Sequence, residues 1–163
     1  MWGMKPGSLA LLATVAIVVL AAFVVSQSGQ AQSGASNRAH RLVGAWSVEV
    51  NAEILGAFPA LLSFTSDGIL LTEDPPVPFE TTGHGNWVAT GPNEAAFTFL
   101  LLVGSEAGPL SATWKIIGKL QFDRQTDNWS GPVKILGFDP DGNEFFADRG
   151  TFRGTRIAIE TLD

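Results

Sequence analysis

In the stretch Thr81-Thr82-Gly83-His84-Gly85-Asn86-Trp87 a histidine stands between two glycines, just after Glu80 in a proline-rich segment. An imidazole that titrates near neutrality can act as a general base, and a nearby carboxylate can share its proton. His84 and Glu80 are therefore the candidate catalytic pair. In a binding protein, His84 would instead offer a polar contact to a ligand at the mouth of the fold. The glycines also carry a plainer meaning, a turn that uses positive φ and leaves the imidazole solvated.

Little else in the 163 residues can do chemistry. The chain has no Cys and no Tyr, and the companion of His84 is His40. Two histidines cannot supply a three-histidine catalytic zinc site. No Gly-x-Ser-x-Gly, P-loop or dinucleotide fingerprint occurs. Asp139-Pro140-Asp141-Gly142-Asn143 lacks the ligand spacing of a calcium loop and reads as a hairpin turn. Asn128-Trp129-Ser130 fits a glycosylation acceptor that matters only in a host that glycosylates there. No metal and no cofactor are expected, and an enzyme here would be a cofactor-free cyclase or isomerase.

Residues 8–25 carry no charge and follow Lys5, with small residues before possible cuts after Ala31 or Ala35. That is the pattern of a secretory signal peptide, although about 17–25 apolar residues are also enough to span a bilayer. We expect residues 1–31 to be a signal peptide or signal anchor and residues 32–41 a flexible polar tether rich in Gly, Ser and Gln. Residues 42–163 then form the functional domain. The domain should be secreted, periplasmic or otherwise extracytoplasmic, touching a membrane only through residues 8–25 if they are retained. With Lys5 set aside, nine basic residues face sixteen acidic ones, which argues against nucleic acid and anionic lipid surfaces as partners. The acidic residues are scattered singly along the sequence, as on an ordinary soluble surface.

The domain reads as strands. Trp46, Val48 and Val50 alternate with Ser47 and Glu49. Ala60, Leu62 and Phe64 share a face, and Thr65-Ser66-Asp67-Gly68 turns the chain into Ile69-Leu70-Leu71-Thr72-Glu73. Residues 74–82 hold three prolines and form a loop. Gly91-Pro92-Asn93-Glu94 joins the next hairpin. Residues 110–122 put Trp114, Ile116, Leu120 and Phe122 on one face, with Ile117 out of pattern. Residues 128–138 and 144–160 complete about eight strands without a helix. Strands linked by tight turns pair antiparallel, and a meander of eight leaves two raw edges unless it closes. The expected fold is all-β, a single antiparallel up-and-down barrel; a sandwich would need longer crossovers. Gly118, Gly131, Gly137 and Gly154 fit bends or bulges within strands.

Gly44-Ala45-Trp46 on the first strand, with an Arg on the last, resembles the calycin superfamily of lipocalins, fatty-acid-binding proteins and avidins. The resemblance implies an eight-stranded barrel with Trp46 sealing one end and an arginine packed across the indole. Arg153 and Arg156 are the candidates. Arg153 shares parity with Ile157 and Ile159 and is preferred as inward-facing, unless a bulge at Gly154 reverses the order. Gly44 would let the chain bend sharply into the barrel.

An eight-stranded barrel is just wide enough for side chains or one small ligand. Trp87, Phe97, Phe99, Trp114 and Trp129 fall on inward parities and are the expected ligand-binding wall, with His84 at the mouth. Ala60, Ala89, Gly118 and Gly137 would leave space between them. Three functions follow: a carrier of a small apolar or amphipathic molecule, a cyclase or isomerase of the allene oxide cyclase type acting by confinement, or a filled interaction module. In the last, exposed Leu100, Leu102 and Leu136 would form a homodimer face.

Overall fold

The computed structural model describes residues 41–75 and 79–162, and the expected signal, anchor and most of the tether lie outside them. The described residues form eight strands and no α-helix. They are β1 (Gly44–Ala52), β2 (Gly56–Phe64), β3 (Ile69–Glu73), β4 (Gly83–Gly91), β5 (Glu94–Gly104), β6 (Leu110–Phe122), β7 (Asn128–Phe138) and β8 (Glu144–Arg156). Each pairs antiparallel with the next, and β1 pairs with β8 from Trp46↔Arg156 to Ala52↔Gly150, closing the barrel. Closure satisfies both edges of the meander, so the sandwich alternative falls away.

Side-chain alternation selects the inside. Trp46, Val48, Val50 and Ala52 of β1 face inward, as do Phe97, Phe99 and Leu101 of β5. Ile117 points outward, as its broken pattern suggests. The parity of β8 is the reverse of that expected. Phe152, Gly154 and Arg156 face inward while Thr151, Arg153 and Thr155 are exposed. Ile157 and Ile159 misled the assignment because β8 ends at Arg156 and both lie beyond it, exposed to solvent.

Of the strand glycines expected at bends or bulges, Gly131 lies against backbone, where a Cβ would meet the Lys119 carbonyl oxygen, and the other three lie beneath a neighbour's aromatic ring. A Cβ on Gly118 would stand 2.4 Å from the ring of Phe97, its cross-strand partner. On Gly154 it would meet Trp129 at 2.2 Å, and on Gly137 it would meet Trp114 at 3.1 Å. These glycines thus leave no empty room; rings already fill it. Bulges occur near Gly91, Gly104 and Gly137, whereas Gly154 lies in continuous register with β7.

Candidate functional site: a barrel corked at one end and open at the other

One end is shut by aromatic rings. Trp46 is wholly buried, and its indole N–H donates to the Leu42 carbonyl at 2.8 Å. Phe122 and Trp129 lie against it at 6.0 and 5.8 Å between centroids, and Phe64 bridges Trp129 to Trp87. Across the outer face of Trp46 lies Arg156, its guanidinium carbon 4.2 Å from the ring centroid. The same guanidinium donates to the Val43 carbonyl at 3.0 Å and to the Arg41 carbonyl, and pairs with Asp127. A cation over an indole face is attracted by the ring quadrupole, by up to about 2 kcal/mol when desolvated. Gly44 makes the fit possible. Its φ is 133°, and a Cβ there would sit 2.6 Å from an Arg156 nitrogen. Arg153 has no part in this closure; it is exposed on the outside, opposite Glu49 and Ser130.

Above the cork, Phe97 and Phe152 form a floor, 5.4 Å apart between centroids. Phe97 rests on Phe64 and Phe152 on Trp129, while both also line the space above. That space is a cavity of about 490 Å³, well within the ~300–1,000 Å³ of small-molecule sites. Val48, Val50, Ala60, Phe99, Trp114 and Ile135 are among its apolar walls. Leu55, Asp74, Pro75, Glu80 and Val103 line it toward the open end.

Of the four connections at this end, three are tied down by hydrogen bonds that shape the mouth. The β1–β2 turn is held by Asp148, a buried carboxylate that accepts the amides of Ile54 at 3.1 Å and Leu55 at 3.0 Å. Burial alone would raise the carboxyl's pKa, but bonds from the Leu55, Arg149 and Ile54 amides outweigh it and hold it below its ordinary value. The loop after β3 returns beside β5, with Thr81 and Gly104 amides bonded across to Leu102 and Phe79 carbonyls. This places Glu80 opposite Val103 at the rim. Burial, then the charges of Asp74 and Glu73, push the Glu80 carboxyl from 4.5 to about 7. Burial and Glu73 also raise Asp74. The β5–β6 turn completes the three, closed by Ser105 and Gly108 amide bonds.

The expected wall residues divide between the two ends. Phe97, Phe99 and Trp114 line the cavity. Trp87 and Trp129 belong to the cork side, Trp87 donating to the Thr65 carbonyl at 3.0 Å and Trp129 lying between Trp46 and Phe152. His84 is misplaced by the sequence reading: it is exposed on the outer face of β4, opposite Leu71 and Leu100, because the inward places on either side are Gly83 and Gly85. It does not line the cavity or pair with Glu80. Leu100 and Leu102 are exposed, but Leu136 is buried, so the expected apolar face is smaller than anticipated. Of the small residues expected to leave space, Ala60 does so, while Gly118 and Gly137 are covered by rings. Among the described residues no cluster of metal-ligating side chains occurs. Asp139 instead accepts the amides of Asp141 and Asn143, as a turn-forming Asp does.

Asp74, Leu55, Phe152 and Asp148 were missed. A lone Asp among the apolar positions of β8 was a signal for the last; nothing local marked Leu55.

No protein-family model and no curated protein matches the chain. Two solved barrels do. EF1p2_mFAP2b bound to DFHBI is 19% identical, with a TM-score of 0.52, covering 75% of this chain and 98% of that one. A redesigned beta barrel is also 19% identical, with a TM-score of 0.42, covering 74% and 96%. The first likeness establishes kinship of fold, a small β-barrel, and no more.

Proposed function

We propose that this protein is a carrier that holds a small apolar or amphipathic molecule in the barrel lumen, in the manner of the calycins. The observation that carries this reading is the 490 Å³ cavity, walled by aliphatic and aromatic side chains above a finished aromatic floor. Burial of a ligand's apolar surface there contributes about 25 cal/mol per Å². The Trp46 and Arg156 arrangement supports the calycin comparison, and the similar barrel that binds DFHBI is a precedent for occupancy of such a lumen. Residues 1–31 would direct the protein out of the cytoplasm, or residues 8–25 would tether it to a membrane. Leu100 and Leu102 would be the centre of any homodimer face.

The test is a neutral dye that fluoresces in apolar surroundings. It should bind one per barrel, and Ala60→Phe should abolish binding by filling the lumen while strand content by circular dichroism stays intact. Dye that binds the filled variant equally well would place it elsewhere and remove the carrier reading.

One observation favours a second reading, the cyclase or isomerase. Glu80 has a carboxyl poised at about 7 beside a confining cavity, which suits a residue that gives or takes a proton near neutrality. Turnover of a confined substrate would then be lost in Glu80→Gln. His84 has no place in this version, since it faces away from the lumen.

A further inference from the structure

The cavity is apolar, but its charge is not balanced. Asp74 and Glu80 line it, and no Lys, Arg or His does so among the described residues. The asymmetry extends past the lining. In an up-and-down meander every second connection falls at the same end. The connections after β1, β3, β5 and β7 therefore all surround the mouth. They carry Glu53, Asp74, Glu80, Glu106, Asp139 and Asp141, and not one basic residue. Glu73 and Glu144 at adjoining strand ends add to the same sign. Of the basic groups, Arg41, Arg124 and Arg156 belong to the opposite, corked end, while Arg149, whose carbonyl accepts the Glu53 amide beside the β1–β2 turn, is exposed on the outside of β8 and does not line the cavity.

Resting on the carrier reading, we propose that the lumen selects amphiphiles with a cationic head, a protonated amine on an apolar body, over those with a carboxylate. The apolar body would lie on Phe97 and Phe152, and the ammonium would reach Asp74 and Glu80 at the rim. A ring of like charges around a low-dielectric cleft raises the local concentration of oppositely charged ligands and speeds their arrival. A carboxylate head would meet the reverse field and two more carboxylates at contact. An ammonium supplies what the pair lacks. Burial, and after it the charges of Asp74 and Glu73, hold Glu80 partly protonated, and a cation beside it offsets the repulsion between these carboxylates.

The experiment compares decylamine, decanol and decanoate, three tails of one length with different heads, by displacement of the neutral dye. At about pH 8 the amine is cationic and the acid anionic. Decylamine should bind roughly tenfold tighter than decanol, as two partly exposed ion pairs allow, and decanoate should bind weakest. Added salt should weaken decylamine and leave decanol unchanged. In the double variant Asp74→Asn, Glu80→Gln the amine-to-alcohol ratio should fall toward one. If decanol binds but decylamine binds no tighter, or the ratio survives the double variant, the charge selection is wrong and the carrier reading stands. If none of the three displaces the dye from wild-type protein, the lumen does not take amphiphiles and the charge selection is overturned, while the carrier reading stands or falls on the dye and Ala60→Phe.

Discussion

At the corked end of the barrel, Trp46, Phe122, Trp129, Phe64 and Trp87 pack ring against ring, and Arg156 ties three chain segments over them. At the open end the same strands finish in walls of Val, Ala and Ile interspersed with Phe99 and Trp114 around empty space, with carboxylates at the brink. The turns differ in kind as well. Thr65-Ser66-Asp67-Gly68 and Gly91-Pro92-Asn93-Glu94 at the corked end are polar, whereas the open end exposes Ile54, Leu55, Phe79, Leu110 and Phe145. Strand periodicity is identical along the barrel, so side-chain volume must create the division. Five rings packed on one another fill one end, whereas at the other Phe99 and Trp114 stand among smaller Val, Ala and Ile side chains and leave room. A small domain cannot leave its whole interior empty and stay folded. Concentrating aromatic burial at one end leaves the other free to hold a ligand.

The sharpest way to break this contrast is to truncate a tryptophan at each end. Trp46→Ala should cost about 3–5 kcal/mol in urea unfolding, as removal of a buried core ring does. Trp114 is only half-buried and lines the cavity, so Trp114→Ala should cost markedly less while weakening dye binding. Equal losses from the two would mean that the ends do not divide the work. A smaller effect tests the crowding beneath the cork. Gly154→Ala puts a methyl into the Trp129 ring and should destabilise by about 1–3 kcal/mol in thermal unfolding. An unchanged midpoint would show that the ring can move aside.

The smallest effect belongs to the mouth and depends on pH. Folding raises the Glu80 carboxyl from 4.5 to about 7, so the folded state holds this proton more tightly than the unfolded chain. Stability contributed by the protonated form is therefore complete below about 4.5, declines as pH rises toward 7, and is gone above it. Glu80→Gln should remove that decline, so its advantage over wild type in urea midpoint should grow across the same interval and then level off. Parallel curves for the two proteins would show that the carboxyl is not perturbed.

The barrel was legible because alternation and turn residues are local properties. Residues 110–122 and 128–138 coincide with β6 and β7, and Trp46 is buried as its place in the pattern required. The β8 parity was not legible, because Ile157 and Ile159 continue an alternation after the strand has ended. Only the pairing of Trp46 with Arg156 decides between the two arginines. His84 drew notice for its chemistry, yet the glycines beside it mark close approach: a Cβ on Gly85 would lie 2.1 Å from the Thr98 carbonyl oxygen. They take the two inward positions and leave the imidazole outside. The acidic mouth escaped for a different reason. Its carboxylates come in ones and twos from separate loops, Glu73 and Asp74 being adjacent, and only the up-and-down topology, which returns alternate loops to one end, gathers them.

Arg156 fastens the beginning of the described chain to its end, and it does so beneath the floor. On that side a crevice beside Leu42, Trp87 and Phe122 measures about 10 Å³, scarcely room for one water molecule. Among the described residues the cavity opens at the rim, not through the cork. On the carrier reading, cargo would not be threaded through from a donor on one side to a recipient on the other; it would back out past Leu55, Asp74 and Glu80, the residues that line the way in. Whatever received the molecule would then have to meet the same rim as whatever supplied it, and the two would take turns.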